Sequence, residues 1–497
     1  MQPLPSSRRP AVRRARVFSW LALIPLASVL AQGPAPAPDP LEGKWWGTTG
    51  SVRERVEVGL DFRRDAAGKL QLYLTQPISS YFAVPTEMEV KREGDRVLVD
   101  GLHLALSLKG DQLEGNYPGP NSSASFTRVE SLPGDPGVPD FPKGPGPRWQ
   151  TRLQGQIWAT PAVRDGIAYV GTTGGVMNAV QVSDGQLAWT FTAGRPLFGE
   201  ALATEDALYF VCDNGILFKL DRATGKERWR YELGDGQVPR VLPHPAVFEW
   251  DWQGPKPVMA EGVVFVGSGD GSFHAVDAAT GERRWRFATG GKVRNGAVID
   301  DSRVIFGSKD HFVYALDRKT GKELWKHETE APIDGAPLVW GGKVLIGNRG
   351  GGLYALSAET GERLWRTFFW GSWVESTPVV AGGVLYIGSS DLRRVSALDP
   401  ADGRVLWRTD VYGWTFGTPA IVGDRMFAGA AGGSPYFIRH VAGFAALERQ
   451  TGRILWRWPM PEVPGAHEWG ITGSPVISGD TVVVATLEGG LMGFPVG

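Results

Sequence analysis

Eight tryptophans recur along most of this chain at nearly constant spacing, each closing a similar phrase. The gaps between them are 40, 40, 56, 40, 40, 42 and 49 residues. A period of about 40 residues is typical of a β-propeller blade. The repeat therefore predicts an all-β fold, an eight-bladed β-propeller with four-stranded blades. The eight are Trp149, Trp189, Trp229, Trp285, Trp325, Trp365, Trp407 and Trp456.

Two kinds of turn recur inside each repeat. Glycine-rich pairs such as Asp165-Gly166 and Gly341-Gly342 accept positive φ at low cost and predict the hairpin from the innermost strand to the second. A Thr-Gly or Asp-Gly turn, as in residues 221–225, precedes each later tryptophan. We expect that tryptophan to project from the outer strand into the seam between blades.

The two ends of the repeat region predict how the ring closes. Residues 147–153 form an outer strand with no blade before it, and residues 474–494 form three strands with no tryptophan strand after them. Each end supplies what the other lacks. Seven internal copies and this composite blade make eight, and pairing of the two ends leaves no open sheet edge in the ring.

The phrase at residues 314–325, Tyr-Ala-Leu-Asp-Arg-Lys-Thr-Gly-Lys-Glu-Leu-Trp, carries a family resemblance. It is similar to the PQQ-like repeat of eight-bladed quinoprotein dehydrogenases and of the outer-membrane assembly propeller lipoprotein. The resemblance spans residues 148–497 and implies the propeller fold. It implies two kinds of activity: a dehydrogenase that holds pyrroloquinoline quinone with calcium, or a non-catalytic binding protein.

The chain before the propeller predicts four further segments. Residues 1–31 place five arginines before an apolar run and indicate a signal peptide with a small-residue cleavage site. An uncleaved anchor and a twin-arginine signal are the alternatives. Residues 32–40 are a Pro-rich linker, and a second Pro/Gly-rich linker covers residues 131–147. We expect export to the periplasm or the extracellular space, with no transmembrane span in the mature chain.

Residues 41–130 alternate apolar and polar side chains over short runs, which predicts a small antiparallel β-barrel or sandwich. Phrases such as Gly43-Lys-Trp-Trp-Gly47 resemble the β-domain that precedes the hydrolase domain of some secreted serine hydrolases. No Gly-x-Ser-x-Gly nucleophile motif follows, so the resemblance does not extend to hydrolase activity.

Charge and cysteine content exclude several functions. Basic and acidic residues number 52 and 53, so nothing indicates the basic surface that nucleic acid needs. Cys212 is the single cysteine. It cannot form a disulfide within the chain, nor the ring of two adjacent cysteines that quinoprotein enzymes often place against the quinone. A buried, inert thiol is the expected state of Cys212.

The blade crossings vary while the hairpin turns repeat, so we place binding on the crossing face. Aligning the copies predicts a ring of side chains that enters the central channel. Arg294, Asp334 and Glu375 occupy adjacent blades there, with Asn295 beside the first. A salt-bridged channel lining is one interpretation, and a ligand or cation site is the other. The ring is Trp158, Phe198, Leu242, Arg294, Asp334, Glu375, Phe416 and Thr472.

Two loops that are longer than their counterparts in the other repeats indicate a second candidate surface. The seventh blade has extra residues near 432–441, and the crossing at residues 459–473 is long. His467-Glu468 on that crossing does not continue as a zinc helix, because Ile471 stands where the second histidine belongs. Stacking on a cofactor, sugar or partner is one interpretation, and a packed loop cluster is the other. The residues concerned are Trp370, Trp373, Trp414, Tyr436, Arg439, His440, His467, Glu468 and Trp469.

A third longer loop, residues 248–257, holds two tryptophans. The alignment places it in the inner hairpin of the third blade, on the face opposite the variable loops. Contact with the small N-terminal domain is the expected role. Across the whole chain, a monomeric, non-catalytic binder of an envelope protein or glycan is the favoured function. A PQQ enzyme and a sugar or small-ligand module remain open.

Overall fold

The computed structural model describes residues 39–51, 55–86, 88–102, 104–116, 122–234, 240, 251–370, 372–434 and 438–497. The predicted signal peptide and most of the linker at residues 32–40 lie outside these residues. The chain divides into two compact units, Met1–Glu42 and Gly43–Gly497. In the first, the amide of Glu42 donates to the carbonyl of Asp39 at 2.8 Å. Across the described ranges, no helix has the length and apolarity needed to cross a membrane.

The second unit begins with one curled antiparallel sheet, in the region where the sequence predicts a small antiparallel β-barrel or sandwich. Its strands are β1 (Gly43–Ser51), β2 (Arg55–Arg64), β3 (Leu70–Gln76), β4 (Tyr81–Pro85), β5 (Val90–Glu93), β6 (Arg96–Val99), β7 (Leu104–Lys109), β8 (Gln112–Asn116) and β9 (Ser122–Val129). Short 3-10 turns lie at Pro77–Ser79 and Asp100–Leu102. The sheet order is β4-β3-β2-β1-β9-β8-β7-β6-β5. Alternate apolar residues, such as Val56, Val58 and Leu60, are buried because successive side chains point to opposite faces.

The other described strands form eight antiparallel sheets, which confirms the predicted eight-bladed propeller. After β10 (Trp149–Arg152), blade 1 holds β11 (Ala162–Arg164), β12 (Ile167–Gly171), β13 (Val176–Gln181) and β14 (Leu187–Thr192). Blade 2 holds β15 (Leu202–Ala203), β16 (Ala207–Cys212), β17 (Ile216–Asp221) and β18 (Glu227–Glu232). Blade 3 holds β19 (Val258–Ala260), β20 (Val263–Gly267), β21 (Ser272–Asp277) and β22 (Arg283–Ala288). Blade 4 holds β23 (Ala297–Ile299), β24 (Arg303–Gly307), β25 (Phe312–Asp317) and β26 (Glu323–Glu328).

The remaining blades follow the same order. Blade 5 holds β27 (Leu338–Trp340), β28 (Lys343–Gly347), β29 (Gly352–Ser357) and β30 (Arg363–Phe368). Blade 6 holds β31 (Val379–Ala381), β32 (Val384–Gly388), β33 (Arg394–Leu398) and β34 (Val405–Asp410). Blade 7 holds β35 (Ala420–Val422), β36 (Arg425–Gly433), β37 (Gly443–Glu448) and β38 (Ile454–Pro459). After β39 (Glu468–Gly470), blade 8 joins β40 (Val476–Ser478), β41 (Thr481–Ala485) and β42 (Gly490–Pro495) to β10.

The repeated tryptophans join each blade to the next. The indole Nε1 of Trp189 donates to the carbonyl of Arg222 in the third turn of the following blade, at 3.0 Å. Gly225 of that turn has φ +70°, and a Cβ there would come within 2.5 Å of the Trp189 ring. Glycine is therefore needed both for the turn and for the close approach. The same donation to the next blade recurs from Trp149, Trp229, Trp285, Trp325 and Trp365.

Blade 8 closes the ring as the sequence predicts. β10 pairs with β42, with Trp149 opposite Gly493. The segment before β10 adds to the closure, because Lys143 forms a parallel bridge with Arg457. A Cβ on Gly144 would come within 2.2 Å of the Trp456 ring. Gly144 therefore takes the position that turn glycines hold at the other tryptophans.

The small sheet packs against the crossing loops of the propeller. Arg394 at the start of β33 donates from Nε to the carbonyl of Ile78 at 3.1 Å and from Nη2 to the carbonyl of Pro77 at 3.2 Å. Ile78 lies against the buried cluster of blades 5 and 6, as Trp370 does. These contacts bring the small sheet to the variable face.

Candidate functional site

One backbone contact recurs at the crossings and sets a ring of side chains around the axis. The residue before a ring position donates its amide to a carbonyl of the previous blade, as Leu197 does to Thr172 and Ile333 does to Ser308. The contact confirms the predicted register at six positions. Leu242 lies outside the described residues. The six are Phe198, Arg294, Asp334, Glu375, Phe416 and Thr472.

Trp252 fills the centre of this ring. Its ring centroid lies 5.1 Å from that of Phe416 and 5.8 Å from that of Trp158. All three side chains are buried and share one apolar cluster with Phe198 and Trp414. The aromatic cluster therefore closes the channel at the crossing face.

The position of Trp252 shows that the predicted place of the third-blade insertion is wrong. The inner hairpin of that blade is the tight turn between β19 and β20, and residues 251–257 precede β19 on the crossing side. The Pro-Ala-Val phrase at residues 245–247 resembles the start of an inner strand and shifts the alignment. Trp252 contacts the channel wall and not the small sheet, while residues 248–250 lie outside the described ranges.

The cluster of Trp252, Phe416 and Trp158 is called the aromatic plug below. Asp251, the neighbour of Trp252 in the chain, holds this plug in place through buried ion pairs. Its carboxylate lies 2.9 Å from Nζ of Lys292 and also contacts the guanidinium of Arg294. Arg240 and Lys309 lie within 3.9 Å and 3.7 Å of the other oxygen. Burial alone would raise the pKa of Asp251, but the surrounding cations outweigh it and lower that pKa below its ordinary value.

Arg349 joins the two carboxylates of the predicted ring, Asp334 and Glu375. Its Nε lies 2.6 Å from one oxygen of Asp334 and 2.6 Å from one oxygen of Glu375, and all three side chains are buried. Trp373 lies against the guanidinium at 4.4 Å. Burial alone would lower the pKa of Arg349, but the two carboxylates outweigh it and raise that pKa. Burial also raises the pKa of Glu375. The geometry is that of a salt-bridged channel wall.

These ion pairs bear on the calcium that a quinone cofactor requires. A divalent cation needs oxygen ligands that are not already paired with protein cations. No group of three or more His, Cys, Asp or Glu in the described ranges could hold a metal ion. The donor set at Asp334 and Glu375 therefore does not fit that cation. In this network Arg240, Lys292, Arg294, Lys309 and Arg349 face Asp213, Asp251, Asp334 and Glu375.

Beside the plug the channel contains a cavity of about 330 Å³. Trp252, Phe416 and Trp158 form its aromatic floor, and the polar residues Asn295 and Glu375 also line it. Asn295 is fixed there because its Nδ2 donates to the carbonyls of Gly307 and Ile333. The wall consists of residues just before the innermost strands: Thr160, Glu200, Lys256, Gly296, Ala336, Thr377, Thr418 and Ser474.

The two insertions near the seventh blade pair with each other. β36 extends beyond its blade and pairs with β39, so that Gly432 lies opposite Trp469 and Gly433 opposite Glu468. A Cβ on Gly432 would come within 2.5 Å of the Trp469 indole, so glycine is required for this contact. The pair, called the ribbon below, adds a short two-stranded element at the crossing face.

A groove of about 590 Å³ lies between the ribbon and the small sheet. Three predicted residues line it: Arg439, His440 and Trp469. The structure adds two residues of the long crossing that the sequence did not single out, and three residues outside the propeller, for which no local pattern shows how separate sheets dock. These are Ser80, Phe82, Asp135, Met460 and Glu462.

Buried groups support the wall of the groove. His440 stacks on Trp414 with ring centroids 4.3 Å apart, and Trp414 Nε1 donates to Asp391 at 2.9 Å. Burial, with the nearby charge of Arg393, lowers the pKa of His440 well below its ordinary value, so the imidazole is neutral at pH 7. Burial raises the pKa of Glu468 to about 7.

The remaining predicted residues have other positions. Trp370 packs against the buried cluster of blades 5 and 6, as Ile78 does, and lines a cavity together with Tyr81 and Leu102 of the small sheet. His467 is exposed on the long crossing, and its carbonyl accepts from the amide of Ser434 at 2.9 Å. Tyr436 lies outside the described residues. The predicted residues thus divide between the channel, the groove and the contact with the small sheet.

Comparison with known proteins agrees with this architecture. The family model described as outer membrane protein assembly factor BamB matches residues 144–241, 241–368 and 369–496. BamB of Yersinia pestis is 26% identical over 161 residues, which cover 31% of this chain and 39% of the relative. Quinohemoprotein alcohol dehydrogenase of Comamonas testosteroni is 30% identical over 163 residues, which cover 29% of this chain and 21% of the relative. The chain thus spans well under two thirds of the length of these two relatives.

A solved structure shows the same fold. BamB from Moraxella catarrhalis superposes with a TM-score of 0.55 at 19% identity, over 70% of this chain and 96% of that chain. The family match extends over the whole described propeller, from the segment that closes blade 8 to the last strand. The chain therefore belongs to the family of the outer membrane protein assembly factor BamB, whose propeller is built from PQQ-like repeats.

Proposed function

We propose that this chain is an exported, non-catalytic propeller that binds a protein of the cell envelope through the groove between the ribbon and the small sheet. The pairing of β36 with β39 carries the proposal. Both insertions near the seventh blade are used to build one wall of this groove. Because repeated loops serve the scaffold, such insertions are the best indication of a dedicated surface.

The chemistry of the groove suits a protein segment. Phe82, Met460 and Trp469 are apolar residues of the lining, with Met460 and Trp469 largely buried, and the exposed Arg439 and Glu462 add charges of both signs. Aromatic residues, Met and Arg are enriched in protein–protein interfaces. A volume of about 590 Å³ accommodates a few anchoring side chains of an extended segment or loop.

The relatives indicate the kind of partner. The Yersinia pestis relative is named outer membrane protein assembly factor BamB, and the Moraxella catarrhalis structure is that of BamB. We assign this chain a partner in the same setting, a protein engaged in assembly at the outer membrane. A glycan of the envelope in the groove is the alternative outcome of the test.

Charge reversal at the groove tests the proposal. Arg439 and Glu462 are exposed, so Arg439→Glu with Glu462→Lys changes the surface and leaves the core intact. Arg404→Glu with Glu359→Lys, at exposed positions of the third turns, is the matched control. We expect wild type and control to retain the same envelope protein from solubilised membranes, and the groove variant to retain at least about tenfold less. Equal recovery by all three would mean that the groove is not the recognition surface.

The quinohemoprotein relative raises a second candidate function, oxidation with a quinone held on the axis. The aromatic floor of the channel cavity is the observation in its favour. Pyrroloquinoline quinone and calcium added to the purified protein test it. We expect the quinone to separate from the protein on gel filtration. Quinone that co-elutes and supports dye reduction by alcohols or aldoses would overturn the non-catalytic proposal.

A further inference from the structure

The cavity on the propeller axis lies away from the groove and has a chemistry of its own. We infer that it binds a single neutral sugar ring, which enters from the face of the hairpin turns. This site goes beyond the function proposed above, because it shares no lining residue with the groove. Partner binding and sugar binding can therefore fail or succeed separately.

The floor of the cavity is aromatic. Trp252, Phe416 and Trp158 present ring surface at one end, and the Trp252 and Phe416 rings meet on the axis. A pyranose has one face of C–H groups that packs on such a surface, while its hydroxyls point to the sides. An aromatic surface offers no oxygen ligands to a metal ion and no hydrogen-bond donors to a simple inorganic anion.

Three buried polar atoms on residues that line the cavity have no hydrogen-bond partner among the described residues. They are Nε1 of Trp252, Oδ1 of Asn295 and Oε2 of Glu375. Each of these side chains is more than nine tenths buried. Buried polar atoms nearly always have a partner, so these three are unsatisfied polar groups just behind the cavity surface and not contact points on it.

Hydroxyl groups in the wall add donors at one side. Oγ1 of Thr160 accepts from the amide of Ser474 at 2.8 Å, and Oγ of Ser474 accepts from the amide of Thr418 at 2.9 Å. Neither hydroxyl donates to another of the described residues, so both protons are available to a ligand. Thr160 and Ser474 belong to adjacent blades, so the two hydroxyls lie on the same side of the cavity.

The charges in the wall cancel. Nζ of Lys256 lies 2.8 Å from Oε1 of Glu200, and both side chains remain partly exposed in the channel. Such a pair offers charge-assisted hydrogen bonds to hydroxyls without a net charge to attract an ion. This favours a neutral ligand over phosphate or a divalent cation.

Access and size agree with one sugar ring. The buried aromatic cluster closes the channel at the crossing face, whereas the innermost strands are half-exposed along the axis. The cavity therefore opens toward the hairpin face. Its volume of about 330 Å³ lies at the small end of ligand sites, which holds a monosaccharide more readily than a large cofactor.

Saturation-transfer NMR on the full chain tests the inference. The probes are methyl α-D-glucopyranoside, N-acetyl-D-glucosamine and methyl β-D-galactopyranoside, with sorbitol and inorganic phosphate for comparison. We expect saturation of ring C–H protons for at least one pyranoside at millimolar concentration, and a change in tryptophan emission on titration. No transfer to any of the three sugars would overturn the inference, as would stronger binding of sorbitol or phosphate.

Two variants locate the site. Trp252→Leu removes the floor, and Glu200→Gln with Lys256→Met neutralises the wall pair while the buried core stays intact. We expect either change to weaken sugar binding at least about tenfold, which corresponds to the loss of one good polar or stacking contact. Trp340→Leu, at a half-exposed position next to an inner hairpin, is the control and should bind as wild type. If Trp252→Leu does not fold, the wall variant decides, and unchanged binding there would overturn the inference.

Discussion

Trp252 and Phe416 meet on the propeller axis, although they enter the ring at blades 3 and 7, on opposite sides. Their ring centroids lie 5.1 Å apart. A blade of a propeller ordinarily contacts its two neighbours, so this contact joins positions that would otherwise be separate. The insertion before β19 therefore stabilises the whole ring, and its aromatic and ionic contacts can be tested one at a time.

Removal of the plug should destabilise the fold. Trp252→Ala deletes a buried indole at a site that cannot collapse, and we expect a loss of about 3–5 kcal/mol in the free energy of unfolding. Urea denaturation measures it. Trp340→Ala, at 36% exposure, is the control and should cost less than about 1 kcal/mol. Equal losses for the two variants would show that Trp252 is not part of the core.

Removal of the Arg349 charge should be costly. Arg349→Met leaves the carboxylates of Asp334 and Glu375 buried with their main cation gone, and we expect a loss of about 3–5 kcal/mol at pH 7. Adding Asp334→Asn and Glu375→Gln to that variant should restore part of the loss, because no buried charge is then left unpaired. Denaturation curves of the single and triple variants measure the difference. A triple variant less stable than Arg349→Met would contradict the proposed pairing.

Glu468 should make stability depend on pH. Its pKa is about 7 in the folded chain and has an ordinary value of 4.5, so the folded state holds the proton more tightly. The free energy of unfolding therefore falls as pH rises from about 4.5 to 7 and is level above that range. Since the side chain is partly exposed, we expect Glu468→Gln to be more stable than wild type by about 1–3 kcal/mol at pH 8 and nearly equal at pH 4.5.

Denaturation at pH 4.5, 6 and 8 gives this comparison. His440 changes stability in the opposite direction, but it is present in both proteins and cancels in the difference. Glu462→Gln, at an exposed position, is the matched control and should show no such trend. A constant difference between Glu468→Gln and wild type across the range would contradict the assignment.

The small sheet should loosen when its anchor on the propeller is removed. Arg394→Ala deletes two hydrogen bonds to the carbonyls of Ile78 and Pro77, each worth about 1–3 kcal/mol because the donor is charged. We expect faster proteolysis within residues 131–147 and an unchanged propeller core. Arg404→Ala, a mostly exposed arginine on the outer part of blade 6, is the control. Identical cleavage rates would mean that Arg394 does not hold the sheet.

The blades could be predicted from the sequence because each repeat contains the residues that its turns and its tryptophan contact need. A turn glycine such as Gly225 must take a positive φ and must also admit the ring of Trp189. Both demands are local or nearly so, and they recur every 40 residues or so. The ring of side chains at the axis followed from the same register, which the amide of Leu197 and its equivalents maintain.

The sites could be predicted only in part. Arg439, His440 and Trp469 stood out because their loops are longer than the repeat allows, and all three line the groove. Trp252 was misplaced because an insertion breaks the register and the phrase at residues 245–247 imitates a strand start. Phe82 carried no signal, since docking between two sheets depends on surfaces that no local pattern describes.

Site-specific photo-crosslinking tests the central claim most directly. A photoreactive phenylalanine analogue is placed at Phe82, at Arg439 or at Trp340, and the full chain is irradiated in the cells that produce it. Our proposal predicts one envelope protein captured from both Phe82 and Arg439, on opposite walls of the groove, and not from Trp340. Capture of that protein from Trp340 alone, or no shared product from the two groove positions, would contradict binding through the groove.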